Sequence, residues 1–297
     1  MPPDRTRATR PPPERNEAMS LTFAPGRVAF VTGGARGQGR AHAVALAEHG
    51  VRVALVDVCE GFETVPYKHS TKEDLAETVR LIEEAGSEAL PFVADVRNFD
   101  ALKTAADETA ARFGTIDYLV ANAGIWSMGG KTDEIPEATW QEMIDVNLTG
   151  VWHAMKATLP HMLAQGFGRI VATTSGTVRH TGMHVAHYAA AKAGVYSLVK
   201  SVAIEYADRG ITANSISPSN VGTDMILNDY LYRVYAPDLE NPTLEDIEPR
   251  FAGIHATGIG YIQPADVAKS VVFLLSDESR YTTGEEFPIL FGRQGGV

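Results

Sequence analysis

The stretch Thr32-Gly33-Gly34-Ala35-Arg36-Gly37-Gln38-Gly39 decides the fold class of this chain. It follows a β-rich run at 28–32 and opens a helical pattern at 39–49. Glycines here permit a tight turn and let backbone N–H groups approach a pyrophosphate at the helix N-terminus. Glycine clusters are common in turns, so the informative feature is the position of this cluster between a strand and a helix. The stretch therefore predicts a dinucleotide-binding strand–turn–helix unit.

Strand and helix patterns alternate from this unit to the end of the chain. Several strands are continuous apolar runs, as expected where helices cover both faces of a sheet. Such repetition builds right-handed βαβ units, so we predict an α/β, single-domain Rossmann fold, a doubly wound parallel sheet with helices on both faces. Ser70 and Glu73 fit a capping box at the start of one helix. The predicted strands are 28–32, 51–56, 89–94, 118–121, 168–174, 211–217 and 286–290, and the predicted helices are 39–49, 70–85, 101–113, 147–164, 188–208 and 264–276.

The composition of the 297 residues excludes several classes of protein. With 26 Lys and Arg against 37 Asp and Glu, the net charge is −11, and such a chain repels phosphate backbones. Nucleic acid is therefore not expected as a partner. The apolar runs are too short to cross a bilayer, so no membrane span is predicted. Cys59 is the one cysteine and cannot form an internal disulfide, which fits a reducing cytoplasm.

The first residues differ in character from the rest of the chain. Residues 1–18 are rich in Pro and Arg, lack apolar periodicity and lack the apolar core of a secretory signal, and the leader is taken to extend to residue 24. We predict a disordered leader here, with residues 25–297 forming the domain. The alternative is a short arm that docks on a neighbouring subunit.

Asp57 at the end of the second predicted strand indicates which dinucleotide is bound. Its carboxylate could accept hydrogen bonds from the adenosine ribose hydroxyls, and it would repel a 2′-phosphate, so NAD is favoured over NADP. Arg36 argues for NADP, because a basic side chain could pair with that phosphate, but we expect Arg36 to swing into solvent. The alternative is that Asp57 merely ends a strand in water.

Polar and small residues also end the next two strands. Asp95, followed by Val96, is placed to meet the adenine edge, and the turn from Asn122 to Gly124 lets the backbone pass close to a cofactor. Ligands of open α/β sheets bind at the carboxyl ends of the strands. These residues are therefore expected to line one cofactor site.

Tyr188 and Lys192 are one helical turn apart and share a helix face. A tyrosine is a weak base near neutral pH unless its phenolate is stabilised, and a lysine ammonium can do so. A second pair, Tyr196 and Lys200, is rotated by roughly 80° and cannot face the same substrate. Only the first pair follows a loop that begins at Ser175, whose hydroxyl could hold a substrate oxygen beside the phenol. Tyr196 is assigned to the core or to a subunit interface.

In order and spacing, these motifs resemble the short-chain dehydrogenase/reductase family across residues 26–292. The resemblance implies that Asn147 anchors a water that relays protons from Lys192. It also implies that Pro218, Val221 and Thr223 border the carboxamide side of the nicotinamide, and that homotetramers are common. One departure is Ser219-Asn220, where many members have glycine. The residues carrying the resemblance are Gly33, Arg36, Gly37, Gln38, Gly39, Asp57, Asp95, Asn122, Gly124, Asn147, Ser175, Tyr188, Lys192, Pro218 and Thr223.

A narrower resemblance is to the carveol-dehydrogenase-like group, which is associated with the peptide-derived redox carrier mycofactocin. The stretch from Gly33 to His42 and an insertion at 58–69 carry it. The resemblance implies NAD that does not exchange readily and an external, mycofactocin-like redox carrier. A flap formed by residues 58–69 over the adenosine half of the cofactor would supply a physical reason.

Two further segments are expected to border the substrate. Residues 225–262 are apolar and aromatic at first and then acidic, which predicts a substrate lid and a hydrophobic or cyclic alcohol or ketone as the substrate. An oligomer contact is the alternative. The loop from Ser175 to Tyr188 carries His180, His184 and His187. Their spacing also allows a metal site, but no carboxylate or cysteine accompanies them, so no metal is predicted.

Together these features predict an NAD-dependent oxidoreductase that interconverts a secondary alcohol and its ketone. Tyr188 is assigned as the general acid/base, Lys192 lowers its pKa, Ser175 orients the oxygen and Asn147 maintains the proton relay. Two alternatives stay open. An epimerase or dehydratase could use bound NAD transiently, and a non-catalytic NAD-binding sensor could share the fold.

Overall fold

A single parallel sheet forms the centre of the computed structural model, which describes residues 21–293. Its seven strands lie in the order β3-β2-β1-β4-β5-β6-β7, and every neighbouring pair is parallel. The order reverses between β1 and β4, which creates the crevice where ligands of such sheets bind. The strands are β1 (Val28–Thr32), β2 (Arg52–Asp57), β3 (Ala89–Val93), β4 (Tyr118–Ala121), β5 (Gly168–Thr173), β6 (Ile211–Pro218) and β7 (Glu286–Ile289).

Helices pack on both faces of this sheet. Successive side chains of β1 point to opposite faces of the sheet, so Phe30 belongs to one apolar layer while Ala29 and Val31 belong to the other. All three are fully buried, which requires helices on both faces. The predicted doubly wound Rossmann fold is confirmed. The helices are α1 (Gly37–Glu48), α2 (Lys72–Glu84), α3 (Phe99–Phe113), α4 (Glu137–Ile144), α5 (Gly150–Gln165), α6 (Ala186–Tyr206), α7 (Asp229–Tyr235), α8 (Leu244–Gly253) and α9 (Pro264–Leu275).

The predicted helix at 147–164 is wrong at its start. The helical backbone begins ten residues earlier with α4 and then widens into a π-helical turn, Asp145–Thr149, before α5 continues. One extra residue is therefore accommodated in that turn, and Asn147 sits inside it. The apolar periodicity across 137–165 does not reveal such a change of helical pitch.

The cap of α2 also differs from the prediction by one residue. Thr71 is the N-cap, and its hydroxyl accepts from the Asp74 amide while the Asp74 carboxylate accepts from the Thr71 amide. Ser70 instead donates its hydroxyl to Asp57 Oδ1 at 2.6 Å. The residue predicted to cap the helix therefore binds a carboxylate at the end of β2.

Part of the predicted leader belongs to the packed domain. Residues 1–20 lie outside the described part of the chain. Phe23, however, packs edge-on against Tyr118 with ring centroids 5.9 Å apart, and Thr22 donates to the carboxylate of Glu278. Thr22 and Phe23, which the sequence assigns to the leader, therefore contact the domain.

The two predicted additions to the sheet have different structures. In the segment 58–69, Val65 and Tyr67 are buried in the apolar layer that contains Phe30, which we call the main apolar layer. The segment 225–262 contains α7 and α8, which enclose a small apolar cluster of their own that includes Leu231 and Phe251. None of the helices between residues 21 and 293 combines the length and hydropathy that a bilayer span requires.

Candidate active site

The turn between β1 and α1 is shaped by two glycines in close contact. A β-carbon on Gly39 would lie 1.9 Å from the Gly33 carbonyl oxygen, and one on Gly33 would lie 2.8 Å from Ala123 Cα. Asn122, which follows the neighbouring strand β4, stabilises this turn, because its Nδ2 donates to the carbonyls of Thr32 and Gly33. The backbone at the start of α1 is therefore left bare, as a pyrophosphate site requires.

This turn fits a dinucleotide in a second respect. Gln38 Oε1 is buried and has no hydrogen-bond partner within residues 21–293, and Gln38 lines the cavity above the turn. Gly37 adopts a left-handed φ of 55°, and a β-carbon on it would lie 3.2 Å from Thr223 Cγ2. The N-terminus of α1 and the segment after β6 therefore approach each other across the predicted pyrophosphate position.

Asp57 is held by the protein as well as facing the cavity. Its Oδ2 accepts from the Ala35 amide at 2.9 Å, and its Oδ1 accepts from Ser70 and from the Cys59 amide. The carboxylate is 7% exposed, so the idea that it merely ends a strand in water is wrong. It joins the glycine turn to the start of the 58–69 segment and keeps lone pairs for ribose hydroxyls.

Arg36 does not swing into solvent, contrary to the prediction. Its Nη1 forms an ion pair with Asp224 Oδ2 at 2.8 Å, and its Nη2 donates to the Lys68 carbonyl. Lys68 belongs to the 58–69 segment, and Asp224 immediately precedes the 225–262 segment. One guanidinium therefore links the glycine turn to both predicted additions.

Asp95 and Val96 occupy the end of β3 with distinct contacts. The Asp95 carboxylate accepts from the amide and Nε of Arg97, so it is already paired. Val96 is buried, and its carbonyl contacts His153 Nδ1 at 3.0 Å. Both residues still line the cavity, where an adenine ring is expected.

Ser175, Tyr188 and Lys192 meet at the other end of the cavity. Burial raises the pKa of the Tyr188 phenol, while a hydrogen bond with Ser175 and the charge of Arg293 act in the opposite direction. Burial also lowers the pKa of Lys192 to about 8, and its Nζ donates to the Thr173 carbonyl at 2.9 Å. The ammonium lies 5.8 Å from the centroid of the Tyr188 ring. Lys192 can therefore change protonation state near physiological pH, whereas burial favours the neutral phenol of Tyr188.

Asn147 is fully buried beside this group, and both polar atoms of its side chain make hydrogen bonds. Its Oδ1 accepts from the Ile125 amide, and its Nδ2 donates to the carbonyls of Ile125 and Met143. A β-carbon on Gly124 would lie 2.7 Å from Asn147 Oδ1 and 3.3 Å from Lys192 Nζ. The π-helical turn thus places Asn147 against the backbone after β4 and close to the lysine.

The segment after β6 is fixed by pairing with the end of the predicted lid. The Gly222 amide donates to the Ile262 carbonyl at 2.8 Å, and the Ile262 amide donates to the Asn220 carbonyl at 3.1 Å. Val221 is buried in this pairing. Pro218, Val221 and Thr223 are therefore presented along one side of the cavity.

A single cavity of about 550 Å³ joins these features. Of the predicted site residues, Gly39 is the one outside its lining, because it packs beneath the turn against Gly33. The predicted residues that line it are Gly33, Arg36, Gly37, Gln38, Asp57, Asp95, Val96, Asn122, Gly124, Asn147, Ser175, Tyr188, Lys192, Pro218, Val221 and Thr223.

The histidines of the 175–188 loop have different surroundings. His184 lines the cavity and His187 is fully buried. Burial lowers the pKa of His187, which favours its neutral form. Between residues 21 and 293, no three His, Cys, Asp or Glu side chains gather as a metal site would require.

Comparisons with known proteins agree with this geometry. A sequence profile described as short chain dehydrogenase matches residues 27–230. The (-)-trans-carveol dehydrogenase of Rhodococcus erythropolis is 42% identical over 265 residues, which is 89% of this chain and 96% of that protein. The chain belongs to the short-chain dehydrogenase family.

Solved structures of short-chain dehydrogenases extend the likeness to the fold. The carveol dehydrogenase from Mycobacterium avium, crystallised in complex with NAD, superposes with a TM-score of 0.89 at 43% identity, covering 90% of this chain and 97% of that one. A short chain dehydrogenase from Mycobacterium paratuberculosis, bound to NAD, gives 0.81 at 34% identity, covering 90% and 97%. The predicted family, its carveol-dehydrogenase-like character and the oxidoreductase class are confirmed.

Sequence reasoning missed several cavity residues of this short-chain dehydrogenase. Tyr67 accepts a hydrogen bond from the Trp126 amide at 3.1 Å, and Arg293 also lines the cavity. Tyr235 lines it too and belongs to the predicted lid, 225–262. Arg293 follows β7, whose carboxyl end lies at the same sheet edge as those of the other strands. That edge rule was the available signal, because it places charged residues after the last strand beside the substrate.

Proposed function

We propose that this protein is an NAD-dependent oxidoreductase that interconverts a secondary alcohol and its ketone by hydride transfer. The observation that carries the proposal is one cavity with a bare glycine turn at one end and Ser175, Tyr188 and Lys192 at the other. Bound NAD would supply the hydride acceptor for oxidation and, when reduced, the donor for the reverse reaction. The NAD-bound relatives and the placement of Asp57 support this choice of cofactor.

The side chains of this protein would manage the proton and the oxygen. Ser175 donates a hydrogen bond to the substrate oxygen, and the Tyr188 phenolate takes the hydroxyl proton during oxidation. Lys192 favours that phenolate through its positive charge, which is retained below its pKa of about 8. Asn147 holds the backbone around Ile125 in place next to the lysine, consistent with the proposed proton relay.

The Tyr188→Phe variant tests the proposal. Removing the phenol oxygen should lower turnover of cyclic secondary alcohols by about a hundredfold or more, since a general acid/base contributes about that much. The chain offers a matched control in Tyr196→Phe, which alters the second tyrosine–lysine pair and should keep wild-type turnover. Near wild-type turnover by Tyr188→Phe would overturn the proposed mechanism.

The proposed substrate is a hydrophobic, cyclic alcohol or ketone. Apolar side chains from three segments face the cavity, among them Trp126, Met128, Met183, Leu231 and Val234. The likeness to a (-)-trans-carveol dehydrogenase agrees with such a surface. A suitable panel consists of carveol, cyclohexanol and an open-chain secondary alcohol with as many carbon atoms as each. A preference for the open-chain alcohols would contradict the proposal.

NAD is proposed to stay bound through catalysis and to pass electrons to an external, mycofactocin-like carrier. The bridge from Arg36 to Lys68 and Asp224 supports this, because both neighbouring segments must separate from the glycine turn to free the cofactor. Heat denaturation of the purified protein should release a nicotinamide cofactor in near-equal amount to the protein. Net reduction of an added dye by the alcohol distinguishes this function from an epimerase, a dehydratase or a sensor, none of which yields it.

A cytoplasmic homotetramer is proposed as the working form. Trp152 on α5 is 44% exposed and Ile204 on α6 is 82% exposed, so both long helices leave large apolar groups outside the core. The single cysteine, Cys59, fits a reducing compartment. Analytical ultracentrifugation tests the tetramer, and cell fractionation tests the compartment.

A further inference from the structure

Arg293 lies in the substrate end of the cavity although it comes from the last described residues of the chain. It lines the cavity together with Ser175, Tyr188 and Tyr235. Its Nη1 would be 3.8 Å from a β-carbon on Gly176, the residue after Ser175. Its charge acts to lower the pKa of the Tyr188 and Tyr235 phenols, against the larger effect of their burial. The guanidinium is therefore close to the reacting phenol.

Three separate elements position this guanidinium through one chain of hydrogen bonds. The His255 Nδ1–H donates to the Phe251 carbonyl at 2.9 Å, which leaves Nε2 as an acceptor for the Ser219 hydroxyl at 2.8 Å. The Ser219 oxygen in turn accepts from Arg293 Nη1 at 3.3 Å. Burial lowers the pKa of His255, so this neutral tautomer is favoured, and its ring stacks on Phe291 with centroids 3.9 Å apart.

This chain of hydrogen bonds gives a purpose to the departure from the family pattern after Pro218. A glycine at position 219 would have no hydroxyl to join His255 and Arg293. The next residue, Asn220, donates to the Gly260 carbonyl at 3.2 Å and so holds the end of the 225–262 segment. The two unusual residues therefore connect the sheet, the predicted lid and the C-terminal segment around one cation.

Within residues 21–293, Arg293 has no carboxylate partner. Three carboxylates that line the cavity are engaged, Asp57 by backbone and Ser70 donors, Asp95 by Arg97 and Asp224 by Arg36. The fourth, Glu60, belongs to the 58–69 segment that follows Asp57 and forms no ion pair with Arg293. A guanidinium has five N–H donors in a planar fork, and Ser219 accepts from one of them. The substrate end thus presents a positioned cation whose remaining donors match a carboxylate.

We propose that Arg293 binds a carboxylate of the substrate, so that the natural substrate is a hydroxy acid or oxo acid with an apolar, cyclic body. This inference rests on the proposed alcohol oxidation and narrows its substrate class. The apolar lining holds the ring, and the fork of Arg293 fixes which carbon faces Tyr188. Arg293 is accordingly a specificity-determining residue of this site.

Matched substrates test the proposal on the holoenzyme. The ring-position isomers of hydroxycyclohexanecarboxylate are compared with their neutral methyl esters, with dye reduction as the readout. For at least one isomer, wild-type kcat/KM should favour the acid by about tenfold or more, the size of a charge-assisted hydrogen bond. Arg293→Met should abolish this preference, and Arg293→Lys should keep part of it. Arg233→Met, which removes an exposed arginine from α7 outside the cavity, should keep it fully.

The outcomes separate this inference from the proposed function. Oxidation of the neutral esters without preference for any acid would overturn the role of Arg293 and leave alcohol oxidation standing. If no alcohol is oxidised, calorimetric titration of the holoprotein with cyclohexanecarboxylate and cyclohexanecarboxamide decides the matter. Tighter binding of the acid that is lost in Arg293→Met supports the carboxylate site, and equal or absent binding overturns it.

Discussion

The bridge made by Arg36 predicts how fast the cofactor leaves. Replacing Arg36 by Met keeps an unbranched apolar stem but removes the ion pair with Asp224 and the hydrogen bond to the Lys68 carbonyl. Both contacts join the glycine turn to segments that border the cavity. Because the proposed exit of NAD requires these contacts to break, Arg36→Met should accelerate its release.

The structure sets the size of this effect. The ion pair is partly exposed, at 20% for Arg36 and 48% for Asp224, so solvent screening limits it to about 0.5 kcal/mol. The hydrogen bond to Lys68 adds about 1 kcal/mol. A barrier lowered by about 1–2 kcal/mol corresponds to release that is about 5–30 times faster.

Release is measured by loading the protein with NADH and following its fluorescence after mixing with excess NAD. Arg80→Met is the matched control, because Arg80 also pairs with carboxylates, Glu77 and Glu84, but on the outer surface of α2. That variant should release NADH at the wild-type rate. Asp224→Asn should produce a smaller acceleration than Arg36→Met, since the bond to Lys68 survives.

Two results would refute this reasoning. One is a release rate in Arg36→Met within twofold of wild type, which would mean that the bridge does not hold the cofactor. The other is an equal acceleration in Arg80→Met, which would indicate a general loss of stability.

A double variant of Arg36 and Asp224 that is no faster than Arg36→Met alone would show that the two side chains act as one contact.

Three further predictions concern single residues. Gly39→Ala should lose most bound nicotinamide cofactor on purification, because its β-carbon would collide with the Gly33 carbonyl, whereas Gly253→Ala, with open space around it, should retain it. Asp57→Asn keeps an acceptor oxygen but removes the charge, so the preference for NAD over NADP in binding titrations should narrow by about tenfold; an unchanged preference would place the selection elsewhere. Burial lowers the pKa of Lys192 to about 8 in the folded protein, so above that pH the unfolded state binds more protons than the folded state. The free energy of unfolding of the wild type should therefore rise by about 2 kcal/mol relative to that of Lys192→Met between pH 8 and 9.5. Urea unfolding at each pH measures this gain, and parallel pH curves for the two proteins would contradict it.

The features that could be predicted from sequence are those set by local pattern. The sequence predicts the bounds of β1 to the residue, because four of its five side chains are apolar and all five are buried. Tyr188 and Lys192 were paired because a helix brings residues four apart to one face. The glycine turn was found because close backbone approach restricts the residue type to glycine, which leaves a visible trace in the sequence.

The features that escaped prediction depend on partners distant in the chain. The sequence predicts a solvent-exposed Arg36 because its two partners, Lys68 and Asp224, are 32 and 188 residues away. Arg293 meets Ser219 over a separation of 74 residues. An apolar pattern also does not distinguish an α-helical from a π-helical turn, so the sequence does not predict the π-helical turn around Asn147. Sequence spacing constrains contacts within an element, whereas contacts between elements require the fold.

The burial of Val65 and Tyr67 in the main apolar layer has a consequence for how the cofactor exchanges. A hinged loop opens by rotating about its ends, but the 58–69 segment can open only by withdrawing side chains from the interior. Cofactor exit would then be a partial unfolding reaction, with a steep temperature dependence and acceleration by low urea concentrations. Amide hydrogen exchange in this segment should slow on NAD binding, because the same opening serves both processes.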